Sequence, residues 1–300
     1  MSLRLAVATE DFGTPLRRAI PQAAQAQVPG IQLNVRREIL NEKMSASGLR
    51  QLGQYVRENR MQVSGLSCPT RHALADPEYL EERLQLIRSA MEVARPLDTA
   101  SLMVPCGLIP NPDEDPTAQE ATDNSDIEQL ANPFSFATDN RSGRHDPNQA
   151  DQFDTLRQVV NDLVRHGNHV GCILTLQLPN YDISLVGRLL AGINAGPVQI
   201  SFDPAVAIFT GAQVVDTYRQ LYQHIGHVRA RDGRRNSDYS GMEAAIGDGV
   251  VPWDVFLPTL IEADFTDWVC IERTGGDHRP TDVLRGVAHT QSLLPQPTEG

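Results

Sequence analysis

From its first residues the chain alternates between two hydrophobic rhythms. Short apolar runs of strand length are followed by longer stretches in which apolar residues recur every three or four positions. Leu3–Thr9 predicts a strand and Leu16–Gln27 a helix, and the pair repeats as Ile31–Arg36 with Ser47–Asn59 and as Met61–Ser67 with Pro77–Ala94. In that third helix Leu80, Leu84, Ile87, Met91 and Ala94 share one face, and Asp76-Pro77 supplies an expected N-cap and first turn. Strand Ala100–Cys106 leads through a long polar stretch to a helix, Pro147–Arg165, striped with Phe153, Leu156, Val160 and Leu163. The beat continues with Gly171–Gln177 and Ile183–Ile193, then with Val198–Asp203 and Gly211–Gln223. It closes with Ile225–Asp232 and Pro252–Ala263, followed by Trp268–Glu272 and Pro280–Leu294.

Eight strand–helix pairs in unbroken order require parallel strands joined by helical crossovers. That count favours a closed barrel over an open sheet, and 300 residues suffice for one. The first strand–helix turn, Glu10–Pro15, holds a single glycine and so lacks a dinucleotide-type phosphate loop. The predicted fold is α/β, a (β/α)8 TIM barrel in a single domain over 1–300, with a long loop after strand 4. That loop, residues 107–146, far exceeds the usual 2–6 residues of such connections. Its apolar cluster of Ile127, Leu130, Phe134 and Phe136 predicts a lid over the mouth rather than a loose insertion. A second long loop, Gly233–Val251, overhangs the same mouth.

Strand parity then assigns directions. With Ile200 and Phe202, Leu174 and Leu176, Val228 and Ala230, and Val269 and Ile271 facing the helices, four consecutive strands end in inward polar groups. These are Gln177, Asp203, Arg229 or Arg231, and Glu272. Carboxylates at the C-terminal ends of barrel strands stand where this architecture builds active sites. One such residue is most simply an ion pair plugging the barrel; four on adjacent strands at one end point to a ligand site, because desolvating that many polar groups costs several kcal/mol per unpaired ion.

The stretches Leu174–Gln177, Ser201–Ala205, His227–Gly233 and Trp268–Glu272, with the glycine-rich Gly241–Trp253 and the run Leu257–Trp268, resemble the sugar isomerase/epimerase superfamily with the xylose-isomerase-like TIM barrel. In that superfamily strands five to eight give Glu, Asp, His and Glu to one divalent metal, and the two glutamates shuttle protons. The resemblance places Asp203 and Glu272 at metal-ligand positions, but Gln177 replaces the strand-five glutamate and Arg229 the strand-seven histidine. Glutamine cannot act as a base at neutral pH, and arginine cannot ligate a metal. His227 lies two residues deeper in its strand and is a poor substitute.

The resemblance therefore implies an isomerase or epimerase-like catalyst with a degenerate metal site, acting on a small sugar or polyol by proton transfer next to a carbonyl. Glu272 is the expected general base and Arg229 the expected stabiliser of the enediolate, with Gln177, Asp203, Arg231 and Asp232 as substrate-binding residues. No cofactor is expected. If a metal is retained, Asp203, Glu272, Gln177 and water form an oxygen-only set suited to Mg²⁺ or Mn²⁺. The rival reading is a non-catalytic barrel that binds a carbohydrate or a partner after losing metal chemistry.

Composition narrows the partners. A net charge of −12 argues against nucleic acid and anionic membrane, and no apolar run approaches the ~18 residues of a membrane span. A small polyhydroxylated ligand is the expected partner, and the oligomeric state is left open. Met1–Ala8 runs directly into a strand without a signal-like segment, so a cytoplasmic protein is expected. Cys68, Cys106, Cys172 and Cys270 are widely spaced and read as small buried thiols. His166 to His169 read as a helix end and turn, and Arg234 and Arg235 as a solvated pair or an anion grip.

Overall fold

The computed structural model describes residues 2–113, 149–236 and 240–295. Eight parallel strands close a barrel: β1 (Arg4–Ala8), β2 (Gly30–Asn34), β3 (Gln62–Ser67), β4 (Ser101–Pro105), β5 (Ile173–Gln177), β6 (Val198–Phe202), β7 (Ile225–Ala230) and β10 (Trp268–Ile271). Closure is made by β1 pairing with β10, which holds Val7 against Ile271. The remaining two strands, β8 (Asp232–Arg235) and β9 (Gly241–Ala244), form a separate antiparallel hairpin at the mouth. Around the barrel run α1 (Leu16–Ala24), α2 (Ala46–Glu58), α3 (Leu80–Glu92), α4 (Gln149–Val170), α5 (Ile183–Ala191), α6 (Pro204–Thr210), α7 (Val214–Leu221), α8 (Trp253–Glu262) and α9 (Arg279–Leu293).

Packing follows strand parity. Leu5, Val7, Leu174, Leu176, Ile200, Phe202, Val228, Ala230, Val269 and Ile271 all belong to the core between strands and helices. The intervening Ala6, Ala8, Trp268 and Cys270 form a separate small cluster. Burying aliphatic side chains at about 1.5–3 kcal/mol each makes the outer layer the main source of stability. Inside, Trp268 lies so close to Gly30 that a Cβ there would sit 2.4 Å from its ring, so β2 can start only with glycine. The four cysteines are free and buried.

Several boundaries differ from those the sequence predicts. The third helix starts at Leu80 rather than Pro77, because Asp76 accepts the Glu78 N–H instead of capping a helix, and Tyr79 follows in a left-handed conformation. The fourth helix continues to Val170, so His166 and His169 lie within it and not in a turn. The predicted helix after β6 is two helices, α6 and α7, because Asp203 caps an extra short helix directly. The strand predicted to reach Asp232 stops at Ala230; Asp232 starts the hairpin instead. Of the long loop, residues 107–113 are described, and the rest of the predicted lid, with Phe134 and Phe136, lies outside the described residues.

Candidate active site

Each inward side chain is positioned by the end of its strand. Asp203 follows β6 and is the N-cap of α6: its Oδ1 accepts the Ala205 and Val206 N–H groups at 3.0 and 3.4 Å. The Tyr181 hydroxyl accepts the Asp203 N–H at 2.6 Å and donates to the Asp203 carbonyl at 3.3 Å, so the backbone there is clamped as well. With Oδ1 facing the helix, Oδ2 faces the barrel. It accepts Nε and NH2 of Arg231 at 2.7 and 2.6 Å, and NH1 of Arg229 lies 3.8 Å away.

Glu272, one residue past β10, meets Arg229 and a residue the sequence reading passed over. Arg229 Nε donates to Glu272 Oε2 at 2.6 Å, and Gln32 Nε2, from β2 on the opposite side of the closure, donates to Oε1 at 2.7 Å. Asp203, Arg229, Arg231 and Glu272 are all buried. Burial works against the charge of Arg229, yet Glu272 and Asp203 outweigh it and hold its pKa above the ordinary arginine value. Strand parity offered Arg229 or Arg231 at the mouth; both are there, each with its own carboxylate. Gln177 ends β5 in register with Ser201, but among the described residues its side chain makes no hydrogen bond to this cluster.

Asp232, expected to bind substrate, is held by its own loop. One oxygen accepts Gly233 and Val251 N–H at 2.8 and 3.1 Å; the other accepts Gly247 N–H and Trp253 Nε1 at 3.0 and 2.9 Å. With four donors it anchors the hairpin and the start of α8. Glu243, on the hairpin, was invisible to the sequence reading because the hairpin itself was. It accepts Thr274 N–H and hydroxyl at 3.0 and 2.7 Å and Gly275 N–H at 2.8 Å, tying the hairpin to the loop after β10. Its carboxylate also lies 3.3 Å from Arg273 NH1 and 4.0 Å from Arg231 NH1.

A second acidic group gathers at the ends of β1 and β2. Glu10 accepts from Asn34 Nδ2 at 2.7 Å, and Asp11 accepts the Arg273 N–H at 2.8 Å. Glu38 accepts the Asn34 N–H at 2.7 Å and the Thr9 hydroxyl at 2.8 Å. Burial, then the charge of Glu272, raises Asp11 well above its ordinary value; Glu10 is raised by burial first, then by Glu272. Burial pushes Glu38 up to about 7. Below the cluster, His227 is bonded through Nδ1 to Ser201 Oγ at 2.8 Å, and burial followed by the charge of Arg229 lowers its pKa to about 3.

These two shifts act on stability with opposite sign. His227 resists protonation when folded, so its contribution is complete above its unfolded value of 6.5 and is lost as pH falls toward about 3. Glu38 resists ionisation, so its contribution is complete below 4.5 and is lost as pH rises through about 7. Accordingly, Glu38→Gln is expected to flatten the decline in unfolding free energy between about pH 5 and pH 8 while leaving the acid limb in place. Denaturant titrations across that range check this; an unchanged alkaline slope would contradict it.

The family described as xylose isomerase-like TIM barrel matches residues 20–293. The chain belongs to that family. No curated protein matches its sequence significantly. Solved structures share the fold at low identity. A xylose isomerase domain protein from Planctomyces limnophilus superimposes with TM-score 0.74 at 16% identity, over 98% of this chain and 96% of that one. D-Psicose 3-epimerase from Clostridium cellulolyticum H10, solved with D-tagatose, gives TM-score 0.70 at 10% identity, over 97% and 99%. A xylose isomerase-like TIM barrel protein from Mycobacterium smegmatis in complex with magnesium gives 0.69 at 13%, over 97% and 96%.

The donor set of this family member does not fit the divalent cation that the family resemblance implies. Asp203 Oδ2 and Glu272 Oε2 each accept a guanidinium N–H within 2.7 Å. A cation between these carboxylates would stand beside two permanent positive charges. Among the described residues no three His, Cys, Asp or Glu side chains converge as a metal site. No helix among the described residues is long and apolar enough to cross a membrane.

Proposed function

We propose that this barrel acts on a small sugar or polyol by proton transfer next to a carbonyl, as an isomerase or epimerase in carbohydrate metabolism, with an arginine where relatives of this type use a metal. The observation that carries the reading is the Arg229 guanidinium held between Glu272, at 2.6 Å, and Asp203, at 3.8 Å, at the C-terminal mouth of the barrel. A fixed cation beside a carboxylate matches the two needs of enolisation. Glu272 takes the proton from the carbon next to the carbonyl. The electron pair moves onto the carbonyl oxygen, and the charge of Arg229 stabilises the resulting enediolate. Glu10, whose pKa is raised chiefly by burial, returns one to the second carbon or the opposite face. Asp203 and Arg231 form the adjoining wall, Gln177 lies at the β5 edge of the mouth, and Asp232 holds the overhanging loop in place. Sugar epimerases among the structural relatives support the substrate class.

Proton exchange tests this directly. Chelator-treated protein in D₂O with D-fructose, D-psicose or D-tagatose is expected to incorporate deuterium next to the carbonyl of at least one sugar, read by proton NMR. Glu272→Gln should slow that exchange by roughly 10²–10⁴-fold, the usual worth of a positioned base. Exchange that vanishes with chelator and returns with Mg²⁺ or Mn²⁺ would hand the chemistry to a metal held by Asp203 and Glu272. Binding of a sugar without any exchange would favour the second reading, a carbohydrate-binding barrel, which the mutual saturation of the arginines and carboxylates also supports.

A further inference from the structure

Apart from the carboxylate cluster, the β2 and β3 side of the C-terminal face carries a cavity of about 320 Å³ between the loops after those strands and the start of α3. Its lining includes Arg36, Thr70, Arg71, His72, Tyr79 and Arg83, with Glu82 as the one acidic side chain. The volume lies at the small end of the range for ligand pockets.

Arg83 is the unusual member. It lies on the face of α3 that also buries Leu84 and Ile87, and it is only 5% exposed. Its terminal nitrogens donate to the carbonyls of Glu78 at 2.9 Å, Leu74 at 3.4 Å and Asp76, all neutral acceptors. Its Nε is buried with no hydrogen-bond partner among the described residues, and no carboxylate there lies within ion-pair distance of it. Burial lowers its pKa, and the charge of Asp76, which acts the other way, does not fully offset that. Arg36 joins it from the first turn of a short helical segment after β2, Arg36–Leu40, donating only to the Pro69 carbonyl, at 3.0 Å, among the described residues. Tyr79 stands at the rim with φ 51° and no side-chain cap, a conformation that costs a non-glycine residue energy and gathers at ligand sites. Asp76, the nearest acid on the loop, is turned to His72 Nδ1 at 2.9 Å.

We propose that this cavity binds the oxyanion of a small organic acid, a phosphate monoester or a carboxylate, with Arg83 and Arg36 as its charge partners. The anion adds counter-charge to that of Asp76 beside the buried Arg83, and the planar guanidinium of Arg36 suits either oxyanion through paired N–H donors. The inference does not depend on the proton-transfer reading.

Calorimetric titration at fixed ionic strength with inorganic phosphate, D-glucose 6-phosphate, D-glucuronate and uncharged D-glucose tests it. At least one anion is expected to bind with a Kd below about 10 mM while glucose does not, and phosphate-type against carboxylate-type preference names the source of the oxyanion. Arg36→Gln, a partly exposed position expected to fold, should weaken that anion about tenfold or more; Arg165→Gln, on the exposed face of α4, should not. Arg83→Gln should abolish binding if it folds, and Arg36→Gln carries the test if it does not. No anion binding, or equal loss in the Arg36 and Arg165 variants, would overturn the site.

Discussion

Replacing Arg229 with alanine is expected to remove roughly 3–5 kcal/mol of stability near neutral pH, the usual penalty for breaking a buried ion pair from one side. The reason lies in what stays behind. Glu272 would keep the Gln32 amide but lose its cation, and Asp203 would keep Arg231 alone. Glu10, already raised by burial and by Glu272, would lose the compensating charge of Arg229. The loss should shrink as pH falls, because burial already favours the protonated form of Glu10 and protonation relieves the crowding. Arg229→Lys, which keeps a charge but not the fork of donors, should lose less. Denaturant unfolding of both variants at two pH values checks the ranking. Alanine and lysine variants of equal stability would mean that packing, and not charge, sets the role of Arg229.

Asp232→Ala is expected to be comparably severe and to act on a different part of the molecule. The wild-type carboxylate is 1% exposed and accepts from three backbone N–H groups and the Trp253 indole. Each buried donor left unpaired costs about 1–3 kcal/mol, and because the loop relaxes the sum is expected near 3–5 kcal/mol. The hairpin of β8 and β9 should loosen first, since Phe209 packs against Gly233 and Gly241 only while the loop is pinned. Limited proteolysis should then cut within residues 233–251 before the barrel opens. Asp232→Asn keeps an acceptor and should retain part of the stability. Cleavage elsewhere, with the loop still protected, would show that Asp232 is not the anchor.

Much of this architecture was legible in the residues. The alternation of strand-length and helix-length apolar patterns predicted the barrel because each pattern reports a local backbone period. Parity then turned Asp203, Arg229 and Glu272 inward, and Ile200, Phe202 and Val228 outward, and the core follows that division. Failures came where local signals compete. Asp76 resembled a helix cap yet bonds within a tight turn, and Asp203 resembled a strand end yet also starts a helix. A carboxylate next to backbone N–H groups satisfies either arrangement, so its neighbours in space decide.

The sequence by itself determined the barrel, the face on which its chemistry sits and the residue types available there, because these follow from short-range periodicity. Only the tertiary structure decided the pairings. Gln32 reaches Glu272 across 240 residues of chain, and Arg231 rather than Arg229 makes the close contact with Asp203. Glu243 grips the loop after β10 only because an unforeseen hairpin carries it there, and Arg83 is left among backbone carbonyls by the turn before α3. Such contacts depend on where distant segments meet once the barrel closes, and no local pattern in a single chain encodes that meeting.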